Sequence, residues 1–587
     1  MNKLFFKLGL LVQLALIVAH LTYNIHGLPI PDVDRESKEL IELMSSYKIE
    51  FSSGPKRTLD ETIRGYDFTW ASFIIFTVLM SIFVLRSSAF TIQKGKFIAM
   101  SNMVLWFLCL IVSLKYWSPP QQIFFALLLL FFTLSYFFDW RAPKTNDLKI
   151  CVVGAGISGL TAAYDLNKRG YRNITVLEKN DYIGGKCQTH IDDDLPFDIG
   201  GHEMLAGYKD VVNIGKELNA PTRRSIPPVV YDSRQKKYLD FVQSTNANGK
   251  YSMFQVGVAV MRYMWLTGVT FRKYSNPANG YRNMPDELTM NMNDWLEYRK
   301  LKPIKDILVF VIKVQGYGQF ETTPAAYLVK FMGFRNWTSL LLDGLGINKS
   351  WPKVFVYGMQ NLCERMANTL MDVRKNIDID RIERTGAQRN GVSVYLKGRK
   401  EALVFDRLIL ATSLEKSSIQ FMDFTNEERA LFDRFQSYRF YTTFTEVEGL
   451  APGVVASNPM NNVKEGEYTG YIKDFTDDPH AIFFSLALSK DIDGEVVKEK
   501  IETVLERVIP YNEVKPRVKK FISQKQWHYF PHIPYRNENS KEIINVYNSI
   551  ENMQGVKNTF FVSSSLAFEC VGNSVAFSLR IMKDNFK

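Results

Sequence analysis

Three glycines followed by an acidic residue have the spacing of a turn that binds the phosphates of a dinucleotide. Gly154, Gly156 and Gly159 directly follow the apolar stretch Leu148–Val153, and Glu178 lies 19 residues after the last glycine. The first glycine permits a tight turn, the second lets a pyrophosphate approach the backbone, and the third lets helix and strand pack closely. An acid at this distance accepts hydrogen bonds from a ribose diol.

The elements that must position these residues are a strand, a helix and a second strand. Residues 160–166 predict the helix, with Ser158 in its first turn, and residues 173–178 predict the second strand. The N-terminus of such a helix offers unpaired N–H groups and a positive dipole end to a phosphate. Because the strand, the glycines, the helix, the second strand and the acid follow one another in the expected order, the pattern predicts a Rossmann-like domain. A glycine turn without a ligand is the alternative.

Two further turns indicate FAD, where the glycine motif alone leaves FAD and NAD open. Gly184-Gly185-Lys186 and then Phe197-Asp198-Ile199-Gly200-Gly201-His202 follow the acidic residue. This arrangement resembles the superfamily of flavin-containing amine oxidases and phytoene desaturases, in which both turns lie along the flavin nucleotide. Lysine replaces the usual arginine in the first turn, so a cation remains but the bidentate fork is lost. The resemblance implies FAD contacts at Lys179, Gly185, Lys186, Gly200, Gly201 and His202.

The resemblance continues toward the C-terminus. Residues 352–367 resemble the turn and helix that return the chain to the FAD domain, and residues 376–382 resemble the strand that meets the adenine. Three serines, 563–565, stand in place of the family's Gly-Asp pair, and residues 572–574 open the last helix. The implied cofactor contacts are Ile379, Ser564, Gly572 and Asn573.

The predicted fold class is α/β, with a Rossmann-like FAD-binding domain of the amine oxidase type and an inserted α+β substrate domain. About four transmembrane helices precede these domains. The predicted FAD-binding domain comprises residues 146–207, 352–420 and 530–587. The predicted substrate domain comprises residues 208–351 and 421–529, which are rich in aromatic residues and methionine.

The candidate wall facing the flavin is the aromatic segment Gln526–Pro534. In amine oxidases the matching region supplies an aromatic cage, sometimes with a cysteine bound to the flavin. This segment carries no cysteine, so noncovalent FAD is expected. Two histidines in it are four residues apart, but Pro531 argues against a helix, and no metal site is expected. The predicted catalytic residues are Trp527, His528 and Tyr529.

The first 145 residues are predicted to form a membrane region, with helices near 5–22, 68–86, 97–115 and 121–139. Each of the last three is near the length that crosses a bilayer. The first suits either an uncleaved helix or a signal peptide. Basic residues in the short loops place the FAD domain in the cytoplasm of a multi-pass integral membrane protein. The net charge of +11 is spread thinly, so a lipid membrane is the expected partner and nucleic acid is not.

Three functions remain open. The first is transfer of a hydride from an apolar, lipid-like small molecule to flavin by a dehydrogenase or desaturase. The second is a flavin amine oxidase that releases hydrogen peroxide. The third is a non-redox flavin-binding protein, such as an isomerase or a hydratase. No Ser/His/Asp array or carboxylate pair stands out, so hydrolysis is not predicted.

Overall fold

The computed structural model divides the chain into two compact units, residues 1–144 and 145–587. Some residues of the predicted elements lie outside the residues that the structure describes. These are residues 5, 7 and 19–22 of the predicted first helix, residues 138–146 around the predicted domain start, and residue 351. The described residues are 6, 8–18, 35–49, 57–86, 92–116, 119–137, 147–226, 228–233, 235–240, 249–347, 352–384, 391–458, 463–474, 478–488, 492–536 and 540–586.

The N-terminal unit is mainly helical. Its helices are Leu8–Val18, Arg35–Ser46, Leu59–Arg86, Ile92–Tyr116 and Pro119–Phe137, and Lys48–Ile49 pairs with Arg57–Thr58. Among the described residues, one segment, Phe97–Leu114, is long and apolar enough to cross a membrane. The other predicted spans are represented by shorter apolar helices, so a four-helix membrane region is not confirmed. These helices are Leu8–Val18, Thr69–Ile82 and Gln122–Tyr136.

A five-stranded parallel sheet forms the centre of the second unit. The strands predicted around the glycine motif form as Ile150–Val153 and Ile174–Leu177, and both are fully buried. Such apolar runs suit a parallel sheet, which is covered on both faces. The helices Ile157–Lys168 and Val571–Asn585 pack together beside it. In spatial order the strands are Asp372–Arg374, Ile174–Leu177, Ile150–Val153, Arg407–Leu410 and Thr559–Phe561.

A seven-stranded mixed sheet lies in the predicted substrate segments. Its longest strands, Gln436–Glu448 and Arg517–His532, pair antiparallel, and the second of them runs past the predicted boundary at residue 530. The helix Gly494–Leu505 packs a second core against this sheet. In spatial order the strands are Arg517–His532, Gln436–Glu448, His480–Ala487, Tyr468–Lys473, Gly453–Asn458, Pro228–Asp232 and Lys237–Asp240.

Smaller sheets and a group of helices complete the second unit. A three-stranded antiparallel sheet contains Ile379–Arg384, Val392–Leu396 and Leu403–Phe405. Thr189–Asp192 forms a hairpin with Leu195–Asp198, and Thr222–Arg224 pairs antiparallel with the distant strand Lys353–Phe355. The helices of the substrate segments include a π-helical turn, Leu266–Thr270. The remaining α-helices are Lys209–Glu217, Met253–Trp265, Arg272–Ser275, Met292–Tyr298, Lys305–Val314, Ala325–Phe331, Phe334–Gly344, Met359–Ala367, Asn426–Phe432, Ser540–Asn552 and Ser564–Ala567.

Candidate functional site

The turn between the first strand and the first helix of the parallel sheet keeps its backbone open to a ligand. Gly154 has a φ of 103°, which favours glycine, and a Cβ at Gly159 would overlap the carbonyl oxygen of Gly154. A Cβ at Gly156 would instead lie 4.0 Å from its nearest neighbours. The missing side chain of Gly156 therefore leaves room for a phosphate beside the helix N-terminus, where Ser158 is buried in the first turn.

Glu178 lies beside this turn. Its carboxylate accepts hydrogen bonds from the backbone N–H of Ala155 at 2.8 Å and from the backbone and side-chain N–H groups of Asn180 at 2.9 and 2.8 Å. Since a carboxylate has about four acceptor positions, one is left for a ribose hydroxyl. Its neighbour Lys179 is exposed.

The strand that contains Ile379 begins at the same edge of the parallel sheet. The backbone N–H of Ile377 donates to the carbonyl oxygen of Glu178 at 2.9 Å, and that of Asn376 donates to Asn180 at 3.0 Å. Ile379 itself is half-buried and opens the strand Ile379–Arg384. The structure therefore brings this distant segment to the residue expected to hold the ribose.

The second and third glycine turns pack onto the first. The N–H of Gly184 donates to the carbonyl of Ala155 at 3.0 Å, and a Cβ at Gly185 would lie 3.2 Å from Cα of Gly156. A Cβ at Gly200 would overlap the carbonyl oxygen of Lys186, which also accepts a hydrogen bond from the N–H of Gly201 at 2.9 Å. Three glycine segments thus form one cradle of backbone.

Lys186 forms an ion pair with Glu569 at the far end of this cradle. The Glu569 residue is 7% exposed, and its Oε2 has no hydrogen-bond donor among the described residues. Burial raises the pKa of Glu569, and the Lys186 ammonium opposes that rise. Buried polar atoms are normally satisfied, so an unpaired oxygen here fits the hydroxyl or N–H of a bound ligand.

The C-terminal residues predicted from the resemblance have clear packing roles. A Cβ at Gly572 would overlap the ring of Tyr208, so glycine is required there. The side chain of Asn573 donates to the carbonyl of Ala567 at 3.3 Å. Ser564 is half-buried at the start of a four-residue helix. Whether Ser564, Gly572 and Asn573 also contact a cofactor stays a prediction.

Three aromatic rings, Tyr317, Tyr529 and Phe440, form what we call the aromatic wall. The ring of Tyr529 stacks on Tyr317 with centroids 5.6 Å apart and on Phe440 at 4.9 Å. Lys186 Nζ lies 5.8 Å from the Tyr529 centroid, and the Tyr317 hydroxyl donates to the backbone carbonyl of Glu569 at 2.8 Å. The wall therefore adjoins the ion pair that ends the cradle.

The tyrosines of the wall are neutral hydrogen-bonding groups at ordinary pH. Burial raises the pKa of Tyr317 and Tyr529 well above the usual value for a phenol. His532, behind the wall, is also buried, and burial lowers its pKa to about 4. Apart from the ion pair at its edge, this region carries little charge, which suits an apolar ligand.

The three predicted catalytic residues do not share one environment. Tyr529 is in the wall, and Trp527 is buried with its Nε1 donating to Thr442 Oγ1 at 3.0 Å. His528 is exposed, because successive residues of a strand point to opposite faces. The structure therefore does not bring His528 to the wall, and its predicted catalytic role lacks the required placement.

Sequence reasoning missed Tyr317 and Phe440, which come from distant segments. A signal for Tyr317 existed, because Gly316 and Gly318 flank it and have φ values of 75° and 84°. Two such glycines mark a special backbone around one aromatic side chain. Phe440 had no such signal, because it is one of several aromatic residues along a β-strand.

A small polar cavity of about 30 Å³ is lined in part by His202. Asp198, Arg223, Asp474 and His480 also line it. Its volume suits one or two water molecules. Burial lowers the pKa of His202 to about 4. The structure thus shows an acid–base cluster next to the predicted FAD turn.

Two acids at or next to this turn, Asp198 and Glu203, had no role assigned from the sequence. Burial raises the pKa of Glu203 to about 7, although Ser225 donates a hydrogen bond to its carboxylate. Burial also raises the pKa of Asp198 to about 7. Asp198 accepts a hydrogen bond from the N–H of Met359 at 2.9 Å, which ties the turn to the returning helix. Within the described part of the chain, no three His, Cys, Asp or Glu side chains are grouped to hold a metal ion.

A parallel sheet with these glycine turns, together with an aromatic wall beside them, is typical of flavoenzymes that bind a dinucleotide. The family model described as flavin containing amine oxidoreductase matches residues 157–448, about half of the chain. The chain belongs to this superfamily of FAD-dependent oxidoreductases, as the sequence motifs predicted. FAD is accordingly its cofactor, and the open backbone at Gly156 and the unpaired Oε2 of Glu569 fit such a ligand.

Several curated proteins are similar to parts of the chain. A polyenoic fatty acid isomerase from Ptilota filicina is 23% identical over 311 residues, 49% of this chain and 60% of the relative. A 1-hydroxycarotenoid 3,4-desaturase from Flavobacterium sp. (strain P99-3) is 46% identical over 195 residues, 32% and 34% of the two chains. Protoporphyrinogen oxidase 2 from Arabidopsis thaliana is 34% identical over 101 residues, 17% and 19%. The chain thus spans less than two thirds of each of these relatives.

Solved structures share the fold. The CLA-producing fatty acid isomerase from P. acnes superposes with a TM-score of 0.65 at 22% identity, covering 75% of this chain and 99% of that one. A putrescine oxidase bound to putrescine gives a TM-score of 0.54 at 17% identity, covering 75% and 99%. These similarities confirm the predicted amine oxidase type of FAD-binding fold.

Proposed function

We propose that the protein is a membrane-anchored FAD-dependent dehydrogenase or desaturase that acts on an apolar, lipid-like substrate. The observation that carries this proposal is the aromatic wall beside the Lys186–Glu569 pair, where buried rings and neutral phenols face little charge. FAD, when bound, supplies a hydride acceptor. The chain's own residues bind the cofactor, orient the substrate and exclude water.

Different parts of the cradle would bind different parts of the cofactor. The N–H groups around Gly156 and Ser158 would hold the pyrophosphate, and Glu178 would hold a ribose hydroxyl. Lys186 and Glu569 would hold polar atoms farther along the cofactor, toward the wall. We infer noncovalent binding, because the aromatic segment Gln526–Pro534 carries no cysteine.

The wall would orient the substrate. Tyr529, which is half-buried, would present ring surface to an apolar chain, and the buried rings of Tyr317 and Phe440 would hold it in place and help to keep water from the reacting C–H bond. The neutral hydroxyls of Tyr317 and Tyr529 can take part in hydrogen bonds without placing a charge near the substrate. Desaturation removes a hydride and a proton from neighbouring carbons to form a double bond.

An apolar substrate agrees with the relatives. One relative is a 1-hydroxycarotenoid 3,4-desaturase, and another is a polyenoic fatty acid isomerase. The apolar segments of residues 1–144 support membrane anchoring, with Phe97–Leu114 long enough to cross a bilayer. Basic residues in the short loops favour a multi-pass arrangement with the FAD domain in the cytoplasm.

A fatty acid isomerase is the second candidate. It is favoured by the fold similarity to the P. acnes isomerase, which covers 99% of that chain, and by the Ptilota relative. An isomerase would return the hydride to another carbon of the same substrate, so the product would keep the substrate's mass. The neutral wall suits this reaction equally well.

The test is a single-turnover experiment under nitrogen with the full chain in detergent or lipid. A polyunsaturated fatty acid, a carotenoid precursor and a lipid extract are each mixed with the oxidised protein, while flavin absorbance and product mass are followed. A desaturase leaves the flavin bleached and the product two mass units lighter, since two hydrogens leave. An isomerase leaves the flavin oxidised and the product unchanged in mass.

An amine oxidase would give a different result. Amines such as putrescine would bleach the flavin, and hydrogen peroxide would appear on admission of air. Bleaching by amines without any change in the lipid substrates would contradict both lipid proposals. A protein that contains no releasable flavin would contradict the cofactor arrangement described for the cradle.

A further inference from the structure

One helix of the second unit has two apolar faces. The helix Met253–Trp265 buries Val256, Ala259 and Tyr263 in the core, where the Tyr263 ring packs on Trp337 with centroids 5.0 Å apart. A capping box, in which Ser252 and Gln255 bond each other's backbone, fixes its N-terminus. The helix is therefore held firmly by one face.

The other face is exposed, and we call it the apolar stripe. Its residues follow one another at intervals of three or four, which places them on one side of a helix that continues into the π-helical turn. Phe254 is 80% exposed, Met261 is 64% exposed and Trp265 is 63% exposed. The stripe consists of Phe254, Val258, Met261, Trp265 and Val269.

The stripe extends onto a neighbouring helix. Phe334, at the start of Phe334–Gly344, is 41% exposed and lies against Gly268, where a Cβ would approach its ring to 2.7 Å. Large contiguous apolar surfaces are rare on soluble proteins and mark interaction sites. Since burying this face is not needed to hold the helix, the exposed rings have a use other than folding.

The segment that carries the stripe has charge of one sign in its sequence. Residues 241–285 contain no aspartate or glutamate. Of the five basic residues in this segment, Lys250, Arg272, Lys273 and Arg282 are exposed, and Arg262 is half-buried.

An apolar stripe with Phe and Trp, flanked by cations, fits the interface of an anionic bilayer. Apolar side chains enter the acyl boundary, while basic residues are attracted to the anionic surface. A second copy of the chain is a poor occupant, because it would set these cations against an identical set.

We propose that the apolar stripe docks the catalytic unit onto the surface of an anionic lipid bilayer. The docking surface is distinct from the predicted spans of residues 1–144 and adds a second, peripheral contact with lipid. It does not depend on which reaction the flavin site performs. A bilayer contact at this place would keep the catalytic unit at the surface in which apolar substrates dissolve.

The test is site-specific photo-crosslinking of the full chain in proteoliposomes. A p-benzoylphenylalanine probe is placed at Phe254 or Trp265, and in control variants at Met371 or Val404, which are also exposed but lie outside the stripe. The vesicles contain phosphatidylcholine and phosphatidylglycerol. Mass spectrometry then identifies whether the probe has reacted with lipid, with another peptide or with neither.

The expected result is at least about fivefold more lipid adduct at the two stripe positions than at the two controls, because only the stripe enters the acyl region. Vesicles of phosphatidylcholine alone should give about two- to threefold less adduct, since the electrostatic attraction is lost. Adducts with the helices of residues 1–144 or with a second copy would overturn the proposal, as would equal labelling at stripe and control positions.

Flavin content and flavin bleaching are measured in the same samples. A stripe variant that loses flavin is excluded as misfolded, and the other stripe position then decides the result. Lipid adducts without substrate-dependent bleaching would support the docking surface while contradicting the proposed reaction. Bleaching without lipid adducts would support the proposed reaction while overturning the docking surface.

Discussion

The nucleotide cradle is formed mainly by backbone groups, whereas the aromatic wall is formed by side chains. The cradle uses backbone: Gly156 leaves space, and Gly185 and Gly200 allow close contact between the turns. The wall uses side chains, with Tyr317 and Tyr529 stacked on one another from distant segments. Backbone sites need particular residues at fixed spacing, whereas side-chain sites need only that the fold brings suitable groups together.

This difference predicts that substitutions in the cradle cause loss of the cofactor, whereas substitutions in the wall slow the reaction of the bound flavin. The largest effect is expected for Gly156→Val. The fold has room for a Cβ at this position, but the added methyl groups would occupy the phosphate approach, so flavin should be lost almost completely. The measurement is the flavin-to-protein absorbance ratio of the purified protein.

The matched control is Gly257→Val, where a new Cβ would meet no atom within 4 Å among the described residues. This variant should keep its flavin. Retention of flavin in Gly156→Val at the level of the control would remove the phosphate site from this turn.

Tyr529→Leu tests the wall. The substitution removes the stacking on Tyr317 and Phe440 but leaves the cradle unchanged, so flavin should remain bound while its reduction by substrate slows about tenfold. Stopped-flow absorbance under nitrogen measures the rate. His528→Ala on the opposite face of the strand is the control and should change the rate by less than about twofold. A larger effect of His528→Ala would restore its predicted catalytic role.

The Lys186–Glu569 pair joins the two regions, and a double-mutant cycle measures it. Lys186→Met leaves a buried carboxylate unpaired and should lower the free energy of unfolding by about 2 kcal/mol, less than for a fully buried pair because Lys186 is 38% exposed. Glu569→Gln should cost less, and the double variant should recover most of the loss. Denaturant unfolding gives the three values. Strict additivity would show that the two residues do not interact.

The smallest effect is a pH dependence from Glu203. Its pKa is about 7 in the folded protein and about 4.5 when unfolded, so the folded state binds the extra proton between these values. Its contribution to stability therefore falls as pH rises from 4.5 to 7 and stays constant above that. Relative to the wild type, the stability of Glu203→Gln should therefore increase between pH 5 and pH 8. Thermal unfolding at both values checks this, and parallel pH curves would contradict it.

The cradle was predictable because its signals are local. Gly154, Gly156, Gly159 and Glu178 lie within one strand–helix–strand unit, and each residue type answers a requirement of the backbone or of a ribose. The parallel sheet and the family followed from the same stretch, and the family model and the solved structures confirm both. The predicted four-helix membrane region rested on the length and composition of apolar segments alone. Among the described residues, one segment is long and apolar enough to span a membrane.

The wall was only partly predictable. The aromatic segment that contains Trp527, His528 and Tyr529 is visible in the sequence, but which side chains face inward depends on the pairing of the strand with Gln436–Glu448. That pairing exposes His528 and adds Phe440, and a separate loop adds Tyr317. The apolar stripe was hidden for the same reason, since apolar residues on a helix usually belong to the core.

The sequence by itself determined the glycine turns, the α/β class and the superfamily, because glycines and acids at fixed spacing satisfy constraints within a short length of backbone. Only the tertiary structure decided which aromatic rings meet, which of Trp527, His528 and Tyr529 reach the site, and which face of Met253–Trp265 remains exposed. Those outcomes depend on contacts between segments far apart in the chain, and such contacts are fixed only when strands and helices pack.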